Sequence, residues 1–266
     1  MQSLCIWIAA ALLGCFMLLL GRFWQAMQER VRLNRTKDRL PPAPKGYLLN
    51  VRAVLLRLLC WFIVGEIKVD GKENLDQMAG ESSLIIAPNH THIADGFVMP
   101  LLLERLNTRF MAAPTLMNSF GGLFGLIFGF FGAFVASRKA GIEVLNSGQA
   151  LLIFPEGWAY LDGKMGPFKP GVVRITREFA GETGKRAYVI PVFMRFGRYP
   201  GSWIRKLPIL MQLILMTALS PFYRSGVHVV IGKPIEGSEL DREISLPLAL
   251  ESLRKAILAL DPALGE

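Results

Sequence analysis

The sequence predicts an α/β domain, a mixed β-sheet flanked by helices, carrying an N-terminal membrane-anchoring helix. Three observations lead there. Apolar runs of strand length alternate with helix-patterned segments along most of the chain. Several of those runs end abruptly in Pro, Gly or Asn, as strands that feed loops do. The first twenty-one residues carry no charged side chain.

Met1 to Gly21 approaches the ~20 apolar residues that span a bilayer. A secretory signal would place basic residues before its apolar core; here they follow it, at Arg22, Arg30, Arg32, Arg35, Lys37 and Arg39. The expectation is an uncleaved anchor over residues 1–21, with the following domain on the cytoplasmic side by the positive-inside rule. Residues 22–45 read as a basic, Pro-containing linker, stiffened by Leu40-Pro-Pro-Ala-Pro-Lys. The domain proper covers residues 46–266. It opens with an apolar helix pattern from Tyr47 to Val64 that includes Arg52 and Arg57. Two readings fit this helix: one packed on the core with its arginines snorkelling outward, or one lying in a membrane interface.

Glu66-Ile-Lys-Val-Asp-Gly alternates and ends in a turn dipeptide, as a strand would. Further strands are expected at Leu84–Ala87, Arg109–Ala112, Ala133–Ala136, Leu151–Phe154, Tyr188–Phe193 and Val227–Ile231. Helices are expected at Pro100–Leu106, with proline at its first position, at Val172–Ala180, and at Glu239–Leu260 with a break near Pro247. Two uncharged stretches, Ala112–Ser137 and Leu207–Tyr223, are interrupted by glycines or prolines. They read as apolar helices packed on the domain or dipping into one leaflet, not as spans.

The chain has 266 residues, 52% of them hydrophobic, a net charge of +9 and a mean hydropathy of +0.37. That balance suits an anionic membrane surface or acidic substrates. No zinc-ligand spacing or aromatic RNA-binding pattern is present, which argues against nucleic acid. Cys5, Cys15 and Cys60 suggest neither a disulfide framework nor a metal site.

The chemistry-bearing residues sit at strand ends. Asn89-His-Thr-His-Ile-Ala-Asp follows the run ending at Pro88. Imidazole moves a proton near neutral pH, and a carboxylate can hold its tautomer. Five residues on a helix turn through about 500°, leaving the pair about 140° apart. His90 and Asp95 therefore meet only if His90 lies in a loop and Asp95 enters the next helix. The same spacing fits a helix-capping Asp and an ordinary loop His. His92 adds a His-x-His pattern, but three histidines in all are too few for a dinuclear zinc centre. Phe154-Pro-Glu-Gly stops a strand and presents Glu156, while Gly157 permits an unusual turn or a close substrate approach. Gly132-Ala-Phe-Val-Ala-Ser-Arg places Arg138 at a strand end, where a guanidinium suits a phosphate or a surface ion pair. Lys169, in Phe168-Lys-Pro-Gly, is a similar candidate.

Together these blocks resemble the glycerolipid acyltransferase family. Asn89, His90 and Asp95 match its Asn-His-x4-Asp block, Gly132 to Arg138 its second, Phe154 to Gly157 its third and Val189-Ile-Pro-Val its fourth. The matches run in family order between about Val64 and Ile235. The family commonly has Ser at the position of His92 and Thr at that of Trp158, and the span from Arg138 to Leu151 is short. The resemblance implies an O-acyltransferase that moves a fatty acyl group from acyl-CoA or acyl carrier protein to a lysophospholipid, lysophosphatidic acid foremost. It implies a bacterial-type inner-membrane enzyme that needs no metal and no bound cofactor. His90 and Asp95 would be catalytic, and Arg138, Glu156, Gly157 and Lys169 would bind substrate.

Overall fold

The computed structural model describes residues 47–78, 83–208, 224–241 and 245–264, with scattered positions between 18 and 41 and between 211 and 219. Most of the expected anchor, most of the linker and most of Leu207–Tyr223 lie outside the described residues. Among the described residues, no helix is long and apolar enough to cross a membrane. At the linker's end, Leu40 N–H donates to Glu143 Oε2, and the Pro41 carbonyl accepts from the buried Arg109 guanidinium.

The strands are β1 (Ile67–Asp70), β2 (Leu84–Pro88), β3 (Arg109–Ala112), β4 (Ala133–Val135), β5 (Leu151–Leu152), β6 (Tyr188–Phe196), β7 (Val227–Ile231) and β8 (Ile235–Glu236). They form one sheet in the order β1-β7-β6-β2-β5-β3-β4, with β8 beside the start of β6. From β6 to β4 every pair is parallel; β7 and β8 run antiparallel to β6. The sheet is therefore mixed. The helices are α1 (Tyr47–Ile63), α2 (Lys72–Asp76), α3 (Asp95–Leu102), α4 (Pro114–Met117), α5 (Leu123–Phe130), α6 (Arg138–Asn146), α7 (Gly171–Thr183), α8 (Gly237–Asp241) and α9 (Leu246–Leu258).

β2 explains the layering. All five of its residues are buried, so it must be covered on both faces. Successive side chains point to opposite faces: Leu84 and Ile86 join one core with α1 and α3, while Ile85 and Ala87 join another with α6, α7 and α9. Each fully buried Ile or Leu contributes about 1.5–3 kcal/mol. The result is a sheet between two helical layers.

Several boundaries differ from the sequence reading. The helix expected from Pro100 begins at Asp95, and Pro100 lies inside it. That position costs little, because proline removes only the bond to the Gly96 carbonyl near the end of a short helix. Arg138 does not end a strand: β4 stops at Val135, and Arg138 opens α6. Arg52 does not snorkel outward. It is buried on the core face of α1, while Arg57 is exposed and pairs with Glu104 at 3.0 Å. The break expected near Pro247 is found: the segment divides into α8 and α9, Ser245 between them is extended, and Pro247 lies in the first turn of α9, where proline is favoured. Ala112–Ser137 folds into β3's end, short helices including α5, and β4.

β2 ends in a side-chain bridge. Asn89 N–H donates to the Val192 carbonyl at 3.2 Å. A continuing parallel ladder would then use the Asn89 carbonyl. Instead Asn89 Oδ1 accepts from Met194 N–H at 2.6 Å, and Nδ2 donates to the Met194 carbonyl at 3.0 Å. The main chain is released from the sheet at the residue where His90 begins the loop. Asn89→Ala would leave both buried Met194 groups unpaired. It should cost roughly 2–6 kcal/mol, taking each unpaired group at about 1–3 kcal/mol, read as a fall in the urea midpoint with unchanged slope.

Candidate active site

β2, β5, β3 and β4 end at one edge of the sheet. The loops that follow them wall a largely apolar cavity of about 480 Å³. His90 lines it from the end of β2, Phe154 and Gly157 from β5, Ala112 and Leu116 from β3, and Ala136 from β4. Open α/β sheets place ligands at this carboxyl edge.

His90 is fixed on four sides. Its N–H donates to Glu156 Oε1 at 2.6 Å, and its carbonyl accepts from Tyr160 N–H at 3.0 Å. Its ring stacks on Phe154 with centroids 4.1 Å apart. Its Nδ1 lies 3.0 Å from Asp95 Oδ2. With Nδ1 engaged, Nε2 is the nitrogen left for a reactant.

Asp95 is the first residue of α3 and is 0% exposed. Its Oδ2 also accepts from the N–H groups of Thr91 at 2.8 Å and His92 at 2.9 Å. Three donors and the positive end of the helix dipole thus face one buried carboxylate. The loop-then-helix geometry that a five-residue spacing requires is the geometry found.

Glu156 faces away from the cavity wall. It is buried, and each oxygen takes one main-chain donor, His90 N–H and Gly166 N–H, both at 2.6 Å. Burial pushes its carboxyl up to about 7, with Asp95 adding to the rise and the two N–H donors opposing it. It ties together the loops that carry His90 and Gly166. Gly157 adopts φ +66°, and a Cβ there would sit 2.7 Å from Lys169 Nζ. Lys169 lines the cavity beside it. Arg138 is exposed and paired with Glu178 of α7, off the cavity wall. The site therefore gathers His90, Asp95, Glu156, Gly157 and Lys169 and leaves Arg138 at a distance.

The remaining polar wall is sparse: Thr115, Ser119 and Gln212. Sequence reasoning marked none of them as site residues, and a Gln inside an otherwise apolar stretch was the one available signal. His92 is buried behind Asp95, and His228 bonds Asp70 at 2.6 Å on strands β7 and β1.

Residues 66–195 match the model of the acyltransferase family. That stretch, just under half of the chain, carries the family's domain. The matched domain makes it an acyltransferase. Among solved structures, the 1-acyl-sn-glycerophosphate (LPA) acyltransferase PlsC from Thermotoga maritima shares the fold at a TM-score of 0.53 and 20% identity. The match covers 83% of this chain and 81% of that one. A comparison with curated proteins found no match.

The Glu156 carboxyl makes the acyltransferase's stability depend on pH in a defined direction. Between its ordinary 4.5 and about 7, only the folded state keeps the proton, so rising pH favours unfolding across that window. Above it both states are ionised and the effect levels off. The stability of the wild type relative to Glu156→Gln should therefore fall, by up to about 3 kcal/mol, between pH 5 and 7. Urea unfolding of both proteins across this range reads it, and a flat or rising difference would contradict it.

Proposed function

We propose that this acyltransferase moves a fatty acyl group from an acyl thioester, acyl-CoA or acyl carrier protein, to the free hydroxyl of a lysophospholipid. Lysophosphatidic acid is the acceptor favoured, with phosphatidic acid as product. One observation carries the reading: His90, held by the buried Asp95 at 3.0 Å, presents its imidazole on the wall of an apolar cavity large enough for part of an acyl chain.

In this reading His90 Nε2 takes the acceptor's hydroxyl proton as its oxygen attacks the thioester carbonyl. The tetrahedral intermediate collapses with expulsion of the thiolate, which takes the proton from the imidazolium. Asp95 keeps Nδ1 as donor and stabilises the imidazolium while the proton is held. Its charge faces main-chain N–H groups and is shielded from water, so its field on the ring is little screened.

Lys169 is the favoured contact for the acceptor's phosphate, because its ammonium lies on the cavity wall beside Gly157. Arg138 contributes to phosphate binding only after leaving Glu178. Its support comes from the start of α6, two residues beyond Ala136 of the wall. Glu156 and Gly157 act by shaping the loop that carries these groups. Membrane association is supported by the outer face of α1, where Tyr47, Val54, Leu58 and Trp61 are all more than half exposed. Such a face gains free energy on entering a lipid interface. The anchor expected at residues 1–21 belongs to the same reading.

Purified protein with labelled acyl thioester, with and without lysophosphatidic acid, tests the function. Phosphatidic acid is the expected product; free fatty acid alone would mean hydrolysis, and no product would mean a binding protein. His90→Ala should lower kcat by roughly 10²–10⁴-fold with the fold intact by circular dichroism. Near-normal turnover would remove His90 from the mechanism. Lys169→Ala should raise KM for lysophosphatidic acid by about tenfold or more, the worth of one hydrogen bond to a charged group. An equal change with an uncharged monoacylglycerol would reject the phosphate contact.

A further inference from the structure

His92 is the chemistry-bearing residue of the loop that the proposed mechanism leaves without a task. It is 2% exposed, deeper than His90. Its ring lies flat on Phe196, with centroids 4.3 Å apart, and edge-on to Tyr199. Its Nδ1 accepts from Ala94 N–H at 3.0 Å. This bond, from a side chain to the N–H two residues on, is the one Asn and Asp make in Asx turns. It ties down the residue directly before Asp95. The His92 main chain completes the turn: its N–H donates to Asp95 Oδ2, and its carbonyl accepts from Asp95 N–H at 3.2 Å.

The geometry points to His92 as a positioning residue: a neutral, acceptor imidazole that sets the turn on which Asp95 is held toward His90. This rests on the proposed role of the His90–Asp95 pair. An Nδ1 that accepts from Ala94 N–H carries no proton, so the neutral ring holds its proton on Nε2. That nitrogen is buried and has no hydrogen-bond partner, so the ring is not held there for a bond at its far end. Protonation would set two donors against each other at Ala94, and burial also disfavours the charged ring. The charged or titratable groups facing it are Asp95, His90 and Tyr199. A ring kept neutral leaves His90 as the imidazole that pairs with the Asp95 charge.

Two variants separate the acceptor from the ring. His92→Phe keeps the stacking face and loses the acceptor; His92→Asn loses the ring and keeps an oxygen in reach of Ala94 N–H. The Phe variant should lose about 10²-fold in kcat, the scale of a small misplacement of a catalytic group, with KM within about twofold. The Asn variant should recover most of that loss. The downfield proton signal of His90 Nδ1–H, read by NMR, should weaken in the Phe variant and persist in the Asn variant. That signal does not depend on turnover. If wild type transfers no acyl group, the proposed function fails, while the positioning claim is still decided by the spectrum. A folded Phe variant with wild-type kcat and signal would overturn it. So would a folded Asn variant as impaired as the Phe variant. Failure of both to fold would make His92 a core residue and overturn it equally.

Discussion

One carboxylate oxygen organises this molecule's working edge. A fully buried Asp95 is tolerable only if its charge is met by donors, and its Oδ2 meets three: an imidazole and two main-chain N–H groups. All three come from the five residues that precede it. The loop must therefore curl around its own last residue, which a strand or a helix cannot do. Asn89 ends the strand with side-chain bonds, and Asp95 starts the helix with its side chain turned back. Glu156, from a distant part of the chain, holds the loop's first N–H. The constraint runs outward from a single buried charge to the end of β2, the start of α3 and the loop after β5.

Two ionisable groups lie in the same buried region with different partners. Asp95 has an imidazole partner and a helix terminus. Glu156 has two N–H donors, yet burial and the neighbouring Asp95 charge lift its carboxyl to about 7. The brace is therefore half-titrated near neutrality, while the carboxylate it serves is tied to an imidazole.

Much of the layout was legible in the chain. The strands were marked by apolar runs, and β2, β3 and β7 begin where those runs begin. β5 was drawn too long, because the residues after Leu152 spend their side chains on the site: Phe154 stacks on His90 and leaves the ladder. β6 was drawn too short, because the exposed Arg195 interrupts its apolar run although its backbone still pairs with β7. The His90–Asp95 meeting could be stated only as a condition, since spacing alone does not say where a helix starts. The sequence leaves Arg138 open between a phosphate and a surface ion pair, because Glu178 lies forty positions away and no local pattern pairs them. The inward turn of Arg52 is likewise a matter of which helix face packs, and an apolar helix that is rich all round does not announce it.

Gly157 and Lys169 share one small volume. The glycine's left-handed backbone excludes most residues on conformational grounds, and the lysine's ammonium occupies the space where even a methyl group would go. Neither position can drift independently: a side chain at 157 re-aims the cation at 169, and a shorter residue at 169 frees room at 157. Through that coupling, one added carbon at position 157 would shift the lysine on the cavity's wall and change which molecules fit, without a single change to the groups nearest the reacting atoms.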